Sequence, residues 1–422
     1  MQQPKGGDKL ATCYEYKGLH QKCNFIGNVN RQYDDRFAQE GAKIGNTLNI
    51  RMPAKYTVRT GAALDAQEDY HRSTPLTVNS QAGVDLSFTT NELTMKIDDF
   101  SDRIIKPAMA QLAAHIESQC LQDAYKLVNN YTNATTDTAV TYNTFAKGGA
   151  FMTENLAPKS DRCAIMAPQS MVAFNDAVKG LFHSSDQIAK QYAEGMMGRT
   201  GGFDVFENTL APKHTTGSLA GTPLSDGANQ GTSDTSNVWS SQSVIQIDGA
   251  TSNTTLKAGD IITFSGIYAV HPESKANLGR LQRFVVQSDA TLTTAATGAA
   301  VTVKPAMIYG DGNAYQNCAL SGVSDTDGNT VTLTGAVNTA FSQDLQFHKD
   351  SFVFATADLI DVSKFGAWGA RETLDGISMR IAKQYAIGTD TVPCRLDVLY
   401  GFGGLYPETA NRIITTDSVI GA

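Results

Sequence analysis

Between about residues 215 and 342 the sequence changes character, and this change limits the possible folds more than any other feature. Glycine, serine, threonine, asparagine and aspartate dominate there, and helix-forming patterns are scarce. Short runs of alternating apolar and polar residues are separated by turn clusters such as Asp248-Gly249. Five or six strands of this kind predict a small barrel or sandwich of roughly 120 residues. The runs are Val244–Ile247, Ile261–Phe264, Arg283–Val286, Ala300–Val303 and Val331–Leu333.

The sequence on both sides of this segment mixes helices with strands. The clearest helix is predicted over Ser101–Asn130, where apolar residues recur at three- and four-residue steps from Pro107 onward. A buried strand at Arg162–Ala167 is followed by a helix over Pro168–Leu181. We therefore predict an α+β protein in which the β-rich segment is inserted into one mixed unit. Strand-like runs return after the segment at Phe352–Ala355, Ser378–Ile387 and Arg395–Tyr400.

A long charged loop is predicted ahead of the helix. Alternation from Ile44 to Met52 is typical of a strand stopped by proline, and it resumes at Val84, Leu86 and Phe88. Loops of this length inside a compact domain are uncommon and usually reach a partner, although a solvated loop is the alternative interpretation. The candidate contact residues are Arg51, Lys55, Arg59, Asp65, Glu68, Asp69 and Arg72.

The ends and the overall composition narrow the class of protein. Residues 1–42 lack sustained periodicity and predict an extended arm that orders against partners rather than a core element. The formal net charge of −8 argues against a protein whose main task is binding nucleic-acid phosphates. Neither a signal-peptide pattern nor a long apolar run occurs, so we expect a soluble cytosolic protein. The six cysteines are widely spaced, which predicts free, mostly buried thiols.

Three motif fragments resemble known sites and fail in detail. His271-Pro272-Glu273, with Cys394 downstream, lacks the second cysteine of a zinc deaminase because Asp397 stands there, so a hairpin turn is favoured. Asp325–Asn329 alternates carboxylates like a calcium loop, but its glycine comes too early, which favours a polar turn. Gly401–Gly404 lacks the spacing of a dinucleotide fingerprint and is also predicted to be a turn. We predict no catalytic, cofactor-binding or metal-binding residues.

The order of these elements resembles the Hong Kong 97 capsid fold, with its N-arm, E-loop, spine helix, P-domain and A-domain. Lys257–Gly266 is the most telling stretch, because it opens a strand in the insertion that distinguishes one branch of that fold. Several stretches are similar to coat proteins of the phage P22 type, namely Asn30–Asp35, Gly41–Gly45, Gly202–Val205, Pro212-Lys213, Lys257–Gly266, Cys394–Leu396, Leu399–Gly401 and Arg412.

The resemblance implies a division of the chain into five parts. The N-arm would span 1–42 and the E-loop 43–90. The P-domain, with the spine helix and part of the A-domain, would span 91–215. An inserted all-β barrel, the I-domain, would span 216–342, and the remainder of the A-domain and P-domain would span 343–422.

The resemblance also implies a function. It predicts the major capsid protein of a tailed bacteriophage, without enzyme activity or cofactor, which self-assembles into hexamers and pentamers of an icosahedral shell around double-stranded DNA. Its partners would be further copies of the chain, a separate scaffolding protein, the portal, and packaged DNA contacted without sequence specificity. The protein would assemble in the host bacterial cytoplasm and become part of the virion, with no membrane contact.

Two alternatives remain open from the sequence. An encapsulin-like compartment shell shares the fold, but the inserted β-rich segment disfavours it. A β-rich extracellular binding protein would need a secretion signal, which the sequence does not display.

Overall fold

The computed structural model describes a chain that divides into two compact units. The first unit comprises Met1–Leu48, Leu76–Cys120 and Val353–Gly403, and the second comprises Asn49–Pro75, Leu121–Phe352 and Gly404–Ala422. The residues described are 23–32, 47–64, 66–67, 72–89, 105–133, 140–178, 198–228, 230–231, 239–293, 298–310, 313–323, 325–360, 362, 366–374 and 377–416.

The secondary structure is mostly strand, with a few helices, which confirms the predicted α+β class. In the described residues the α-helices are α1 (Asn24–Gly27), α2 (Lys106–Tyr125), α3 (Tyr142–Glu154) and α4 (Pro168–Val178). The strands are β1 (Thr47–Arg51), β2 (Ser73–Thr77), β3 (Ser80–Thr89), β4 (Tyr131–Thr132), β5 (Arg162–Met166), β6 (Arg199–Thr200), β7 (Phe203–Glu207), β8 (Lys213–Thr215), β9 (Gly221–Ser225), β10 (Ser243–Ala250), β11 (Thr255–Leu256), β12 (Ile261–Val270), β13 (Asn277–Val286), β14 (Ala290–Thr291), β15 (Ala299–Lys304), β16 (Cys318–Leu320), β17 (Val331–Leu333), β18 (Ala340–His348), β19 (Phe352–Ala357), β20 (Trp368–Leu374), β21 (Ile377–Lys383), β22 (Thr391–Gly404) and β23 (Ala410–Thr416).

The helix α2 carries the predicted apolar stripe but is shorter than predicted. Pro107 occupies its first turn, where a missing backbone N–H costs no helical hydrogen bond. The helix ends at Tyr125 rather than Asn130. The Asn130 side chain instead donates to the carbonyls of Glu408 and Ala410, at 2.9 and 3.1 Å, which ties this residue to the start of β23. The buried stripe is formed by Met109, Leu112, Ala113, Ile116 and Cys120.

Part of the predicted N-terminal arm belongs to the interior of the first unit. The short helix α1 buries Phe25 and Ile26 completely. Their backbone N–H groups donate to the carboxylate of the buried Glu117 on α2, at 2.8 and 3.1 Å. Negative charge is favourable at a helix N-terminus, because the first N–H groups have no partners within the helix. Residues 23–32 therefore form a core element, contrary to the prediction, and residues 1–22 lie outside the described residues.

The sheet of the first unit contains β19, β20, β21, β22 and β3. The strand β3 pairs with β22 from Ser80 opposite Tyr400 to Thr89 opposite Thr391. The prediction of a turn at Gly401–Gly404 is wrong, because β22 continues through these residues. A side chain at Gly401 would meet the backbone of Thr77 and Val78, so the glycine permits a close approach of two chains.

The second unit contains a sheet in the order β4-β23-β18-β5-β7-β6, with β8 also paired to β18. On one face of this sheet, Phe203 of β7 packs with Phe145 of α3, which in turn contacts Phe174 of α4. The helix α3 lies on this face and was not predicted. Its Gly148 approaches the sheet so closely that a side chain there would overlap the amide groups of Gln346 and Asn411.

The β-rich segment forms a barrel, and each of the five predicted runs lies in a strand. Five of its strands are hydrogen-bonded in the order β12, β13, β15, β10 and β9, and β17 pairs with β12. The ring closes at a bridge between Leu224 and Thr330 and through the Ser225 N–H, which donates to the Asn329 carbonyl at 3.0 Å. The interior holds an edge-to-face pair, Phe264 and Phe284, with ring centroids 5.6 Å apart.

The barrel joins the sheet of the second unit through two adjacent strands. The chain leaves the sheet at β8 and returns to it at β18, which pair from Lys213 opposite Ser342 to Thr215 opposite Ala340. Just beyond this pair, the hydroxyl of Thr216 donates to the Ala336 carbonyl at 2.6 Å. The ends of the barrel segment therefore lie together, as expected for an insertion.

The strand that ends the charged loop differs from the predicted one. The strand β1 forms a two-stranded sheet with β2, whereas the predicted partner region at Val84–Phe88 lies in β3 and pairs with β22. The alternation in β3 reflects a half-exposed edge of another sheet, and Pro75 obscured the strand character of β2. We call residues 52–72 the charged loop.

Candidate functional site

The charged loop is anchored at its base to the barrel of the same chain. The Lys55 backbone N–H donates to the Tyr315 hydroxyl at 3.2 Å. The Arg72 guanidinium lies over the rings of Tyr315 and Tyr406, at 5.9 and 5.8 Å from their centroids. Each cation–π contact of this kind contributes about 0.5–1 kcal/mol, and more where water is excluded. Arg72 is only 8% exposed, so it is an interior residue.

The environment at the loop base disfavours the charged form of Lys55. Burial lowers the pKa of Lys55 below its ordinary value, and the neighbouring charge of Arg72 lowers it further. Glu408 and Glu273 act in the opposite direction. The base of the loop therefore holds cations at a cost that the nearby carboxylates of Glu408 and Glu273 only partly offset.

Beyond its base, the charged loop presents apolar side chains to solvent. Gln67 bridges the loop, since its side chain accepts from the Thr57 N–H at 2.9 Å and donates to the Thr57 carbonyl at 2.6 Å. Tyr56, Val58 and Leu64 are 61%, 93% and 87% exposed. Exposed apolar side chains grouped in this way are typical of a surface that contacts another molecule.

The seven predicted contact residues fall into different environments. Arg51 and Arg59 are exposed, Lys55 is half-buried, and Arg72 is buried. Asp65, Glu68 and Asp69 lie outside the described residues. The interpretation as a contact loop stays a prediction, with Arg72 in a supporting position inside the same chain.

A second charged region lies where the barrel meets the sheet of the second unit. The carboxylate of Asp260 is 1% exposed and accepts from the N–H groups of Lys257 and Gly217, at 2.8 and 3.1 Å. His214 Nε2 lies 2.7 Å from the same carboxylate, and His214 Nδ1 lies 3.4 Å from the Tyr125 hydroxyl. We call this set, together with Arg412, the barrel–sheet junction.

Arg412 completes the junction from the sheet side. Its Nη1 donates to the Gly259 carbonyl at 3.0 Å and lies 3.5 Å from the Gln343 side-chain oxygen. Burial lowers the pKa of Arg412 to about 10, which leaves the group charged at neutral pH. Its Nε and Nη2 are buried without a hydrogen-bond partner. A cavity of about 10 Å³ beside it, roughly enough for one water molecule, is lined by Asp260 and Gln343 among others.

Sequence inspection singled out Lys257–Gly266 and Arg412 only for their resemblance to coat proteins, and it missed their contact. Gly259 and Arg412 lie 153 residues apart in sequence. The Lys-x-Gly-Asp sequence could have indicated part of this site, because an aspartate at the end of such a turn can accept a hydrogen bond from a backbone N–H of the same turn. No local sequence pattern indicated that Arg412 would lie beside this turn.

Two of the three motif fragments form the predicted turns, whereas Gly401–Gly404 continues the strand β22. His271 lies in the turn between β12 and β13, where its Nδ1 accepts from the N–H groups of Glu273 and Ser274 at 3.3 and 3.2 Å. Asp325 accepts from the Asp327 N–H at 2.9 Å within another turn. Across the part of the chain that the structure describes, no group of histidine, cysteine, aspartate or glutamate side chains could hold a metal ion. The five cysteines in that part are free and buried.

The chain is similar to several solved phage structures at low identity. A chain from Mycobacterium phage Che8 is 11% identical, with 94% of this chain and 93% of that chain covered and a TM-score of 0.46. A chain of the cyanophage P-SCSP1u capsid is also 11% identical, with 94% and 90% covered and a TM-score of 0.45. The CUS-3 coat protein I-domain is 21% identical, with 29% of this chain and 98% of that chain covered and a TM-score of 0.18. No curated protein matches the chain.

A family model identifies the class of protein. Residues 17–412 match the model described as P22 coat protein, gene protein 5, and this match covers nearly the whole chain. The match defines a phage coat protein. More narrowly, the chain belongs to the P22 coat protein family.

Membership in this family answers the functional question that the sequence left open. The chain is a major capsid protein of a tailed bacteriophage, one subunit of a multimeric shell in the virion, rather than a compartment shell protein or an extracellular binding protein. None of the helices in the described parts of the chain is both long and apolar enough to cross a membrane.

Proposed function

We propose that this subunit has the Hong Kong 97 capsid fold and that its barrel is the I-domain of the family. The N-arm would cover 1–42, the E-loop 43–90, the P-domain with the spine helix and part of the A-domain 91–215, the I-domain 216–342, and the remaining A-domain and P-domain 343–422. The paired entry and exit strands β8 and β18 support the insertion. The helix α2 supports the assignment of the spine helix.

The subunits assemble into hexamers and pentamers of an icosahedral shell that encloses double-stranded DNA. A separate scaffolding protein and a portal take part in assembly in the host cytoplasm, and the DNA is contacted without sequence specificity. The net charge of −8 supports packaging that does not depend on strong phosphate binding by the coat. The subunit acts by association and not by catalysis.

The observation that carries this proposal is the charged loop. Its base is fixed to the barrel through Tyr315, while the apolar side chains of Tyr56, Val58 and Leu64 are exposed. A loop held at one end with apolar side chains in solvent is suited to lie on a neighbouring subunit, because burial of that surface stabilises the contact. The contact residues that we propose are Arg51, at the end of β1, together with Lys55 and Arg59 in the described part of the loop.

Electron microscopy of the purified protein tests the proposal. We expect five- and six-membered rings or closed shells, with the shells dependent on, or more uniform with, a co-expressed scaffolding protein. Particles composed only of dispersed subunits, with and without that protein, would contradict shell assembly by this chain. A map of the shell in which residues 52–64 touch only their own subunit would contradict the assignment of the loop.

A further inference from the structure

Three cationic residues from separate parts of the second unit lie around Tyr315. Arg72 lies over its ring, and the Lys55 backbone N–H donates to its hydroxyl. Lys275, in the turn between β12 and β13, donates from Nζ to the carbonyls of the two residues that flank Tyr315, at 2.7 and 3.0 Å. A single tyrosine therefore brings the segments that bear three positive charges together. We call Lys55, Arg72 and Lys275 the cationic cluster.

The positive charge of the cationic cluster is not neutralised within the described parts of the chain. No carboxylate in these parts forms an ion pair with it, and the buried Nε of Arg72 has no hydrogen-bond partner. Burial lowers the pKa of Lys275 to about 8, and the charge of Lys55 contributes to this effect. Glu273 and Glu408 attract Lys55 without pairing with it. The cluster thus retains surplus charge in a half-buried place, which is unfavourable unless an anion binds.

The chemistry of the cluster selects an oxyanion. Hydrogen bonds from ammonium and guanidinium groups to carboxylate or phosphate oxygens are short and about twice as strong as neutral ones. A second copy of the chain offers carboxylates in excess, since it has 42 acidic and 34 basic residues. The exposed Tyr56 and Val58 follow Lys55 directly, so an apolar contact surface adjoins the cluster.

We propose that the cationic cluster binds a carboxylate side chain of a neighbouring copy of this chain. This inference rests on the proposed shell assembly and adds a specific charge contact to it. The loop base then contributes to the shell in two ways, by holding the loop against its own barrel and by receiving an acidic residue from the next subunit.

The variants Lys55→Met and Lys275→Met, alone and together, test the proposal. Methionine keeps much of the side-chain length and removes the charge. Two quantities are measured, namely the fraction of subunits in shells after sedimentation and the free energy of unfolding of dispersed subunits. We expect the double variant to lower the shell yield at least tenfold at a fixed subunit concentration. The free energy of unfolding of Lys55→Met should stay unchanged or rise, because repulsion between like charges is removed, whereas variants at Lys275 also lose the hydrogen bonds to the carbonyls of Ala314 and Gln316. Lys147→Met, at an exposed position on α3, is the matched control and should change neither quantity.

Each other outcome overturns the inference. Normal shell yield of the double variant would show that the cluster receives no subunit contact. Loss of unfolding free energy in parallel with yield in Lys55→Met would show that the cluster serves its own subunit. Normal empty shells with weakened DNA-filled particles would point to nucleic-acid phosphate instead. If the unaltered protein forms no shells at all, the proposed function itself fails.

The pH dependence of assembly gives an independent readout. A bound carboxylate favours protonated Lys275, so assembly should weaken as pH rises through the region near 8, where the unbound group loses its proton. The variant Lys275→Met should lack this decline between pH 7 and 9. An identical decline in the variant would assign the effect to other groups and contradict the proposal.

Discussion

The loop base and the barrel–sheet junction both hold buried charges, and they satisfy them in opposite ways. At the junction, Asp260 accepts hydrogen bonds from two backbone N–H groups and lies against His214. At the loop base, the Arg72 Nε has no hydrogen-bond partner, and the cationic cluster has no carboxylate paired with it in the described parts of the chain. The carboxylate at the junction is satisfied within one subunit, although two nitrogens of the neighbouring Arg412 are not, whereas the cationic cluster is completed only when an anion binds.

This difference distinguishes charges that stabilise the folded subunit from charges that are available for contacts between subunits. A charge that is satisfied within the chain stabilises the subunit before any partner is present, and its loss leaves other groups unpaired. A charge that stays unsatisfied contributes little to folding and is available for a contact between subunits. We therefore expect substitutions at the junction to change the free energy of unfolding, and substitutions in the loop to change assembly.

The substitution Asp260→Ala should have the largest effect. It removes the acceptor of Lys257 and Gly217 and the partner of His214, while Arg412 stays buried and charged nearby. Breaking a buried charge contact from one side costs about 3–5 kcal/mol. Urea unfolding of dispersed subunits measures this loss. Asp248→Asn, at a half-buried position on β10, is the control, and its free energy of unfolding should stay within about 0.5 kcal/mol of that of the unaltered subunit. A loss below 1 kcal/mol at Asp260 would remove the distinction between the two regions.

The substitution Asp344→Asn should stabilise the subunit at neutral and higher pH. Burial raises the pKa of Asp344 from 3.8 to about 6, although hydrogen bonds from Ser170 and Ala167 oppose the shift. The folded state therefore holds the Asp344 proton more tightly than the unfolded state does. The contribution of this proton to the free energy of unfolding is fully present below the pKa of the unfolded state, about 4. It is lost as pH rises through 6, by about 3 kcal/mol in total.

The difference in free energy of unfolding between this variant and the unaltered subunit reports the contribution of the Asp344 carboxylate alone. Unfolding of both proteins at pH 5 and pH 8 should show a gain for Asp344→Asn of about 2 kcal/mol at pH 8 and a smaller gain at pH 5. The Ala167 N–H still finds an acceptor in the asparagine oxygen, so the α4 end remains capped. A gain that does not depend on pH would contradict a raised pKa.

The strands of the barrel and the core stripe of α2 were predictable because their signals are local. Alternation and turn residues coincide in β10, β12, β13, β15 and β17, and the apolar period of α2 extends over its whole length. The helix α3 was not predicted because Gly148 and Gly149 interrupt its helical sequence pattern. Gly148 is required by the close approach of Gln346 and Asn411 on the sheet, which leaves no room for a side chain. Its capping pair Thr141 and Thr144 was the signal that could have revealed it.

The candidate contact residues were predicted from charge alone, and charge does not report burial. Arg59 and Arg72 look alike in the sequence, yet Arg72 is covered by Tyr315 and Tyr406, which lie far along the chain. Contacts between distant residues are set by the fold and not by spacing. For this reason the two arginines are no longer equivalent targets, since Arg72→Glu would disturb the interior of its own subunit as well as any contact.

The substitution Arg412→Met should cost about 1 kcal/mol or less, in contrast to Asp260→Ala. Arg412 makes one good hydrogen bond, to Gly259, while its Nε and Nη2 have none. Replacement of a buried ion by an apolar side chain of similar volume is often neutral, because the desolvation cost disappears with the charge. Urea unfolding of both junction variants side by side checks the asymmetry. Equal losses of 3–5 kcal/mol would mean that the arginine is fully satisfied, with water in the adjacent cavity as the missing partner.

The substitution Arg59→Glu should have the smallest effect on folding and a clear effect on assembly. The Arg59 guanidinium is exposed, and its described contact is with the carbonyl of Gly61 within the same loop. Exposed substitutions of this kind usually stay within about 0.5 kcal/mol. Reversal of charge in a loop that lies on a neighbour, however, places a repulsive group in every repeated contact of a shell, and small costs accumulate over many copies. Shell yield after sedimentation, measured beside urea unfolding, separates the two effects. Equal yield for Arg59→Glu and the unaltered protein would remove this arginine from the contact surface and leave the cationic cluster as the charged contact of the loop.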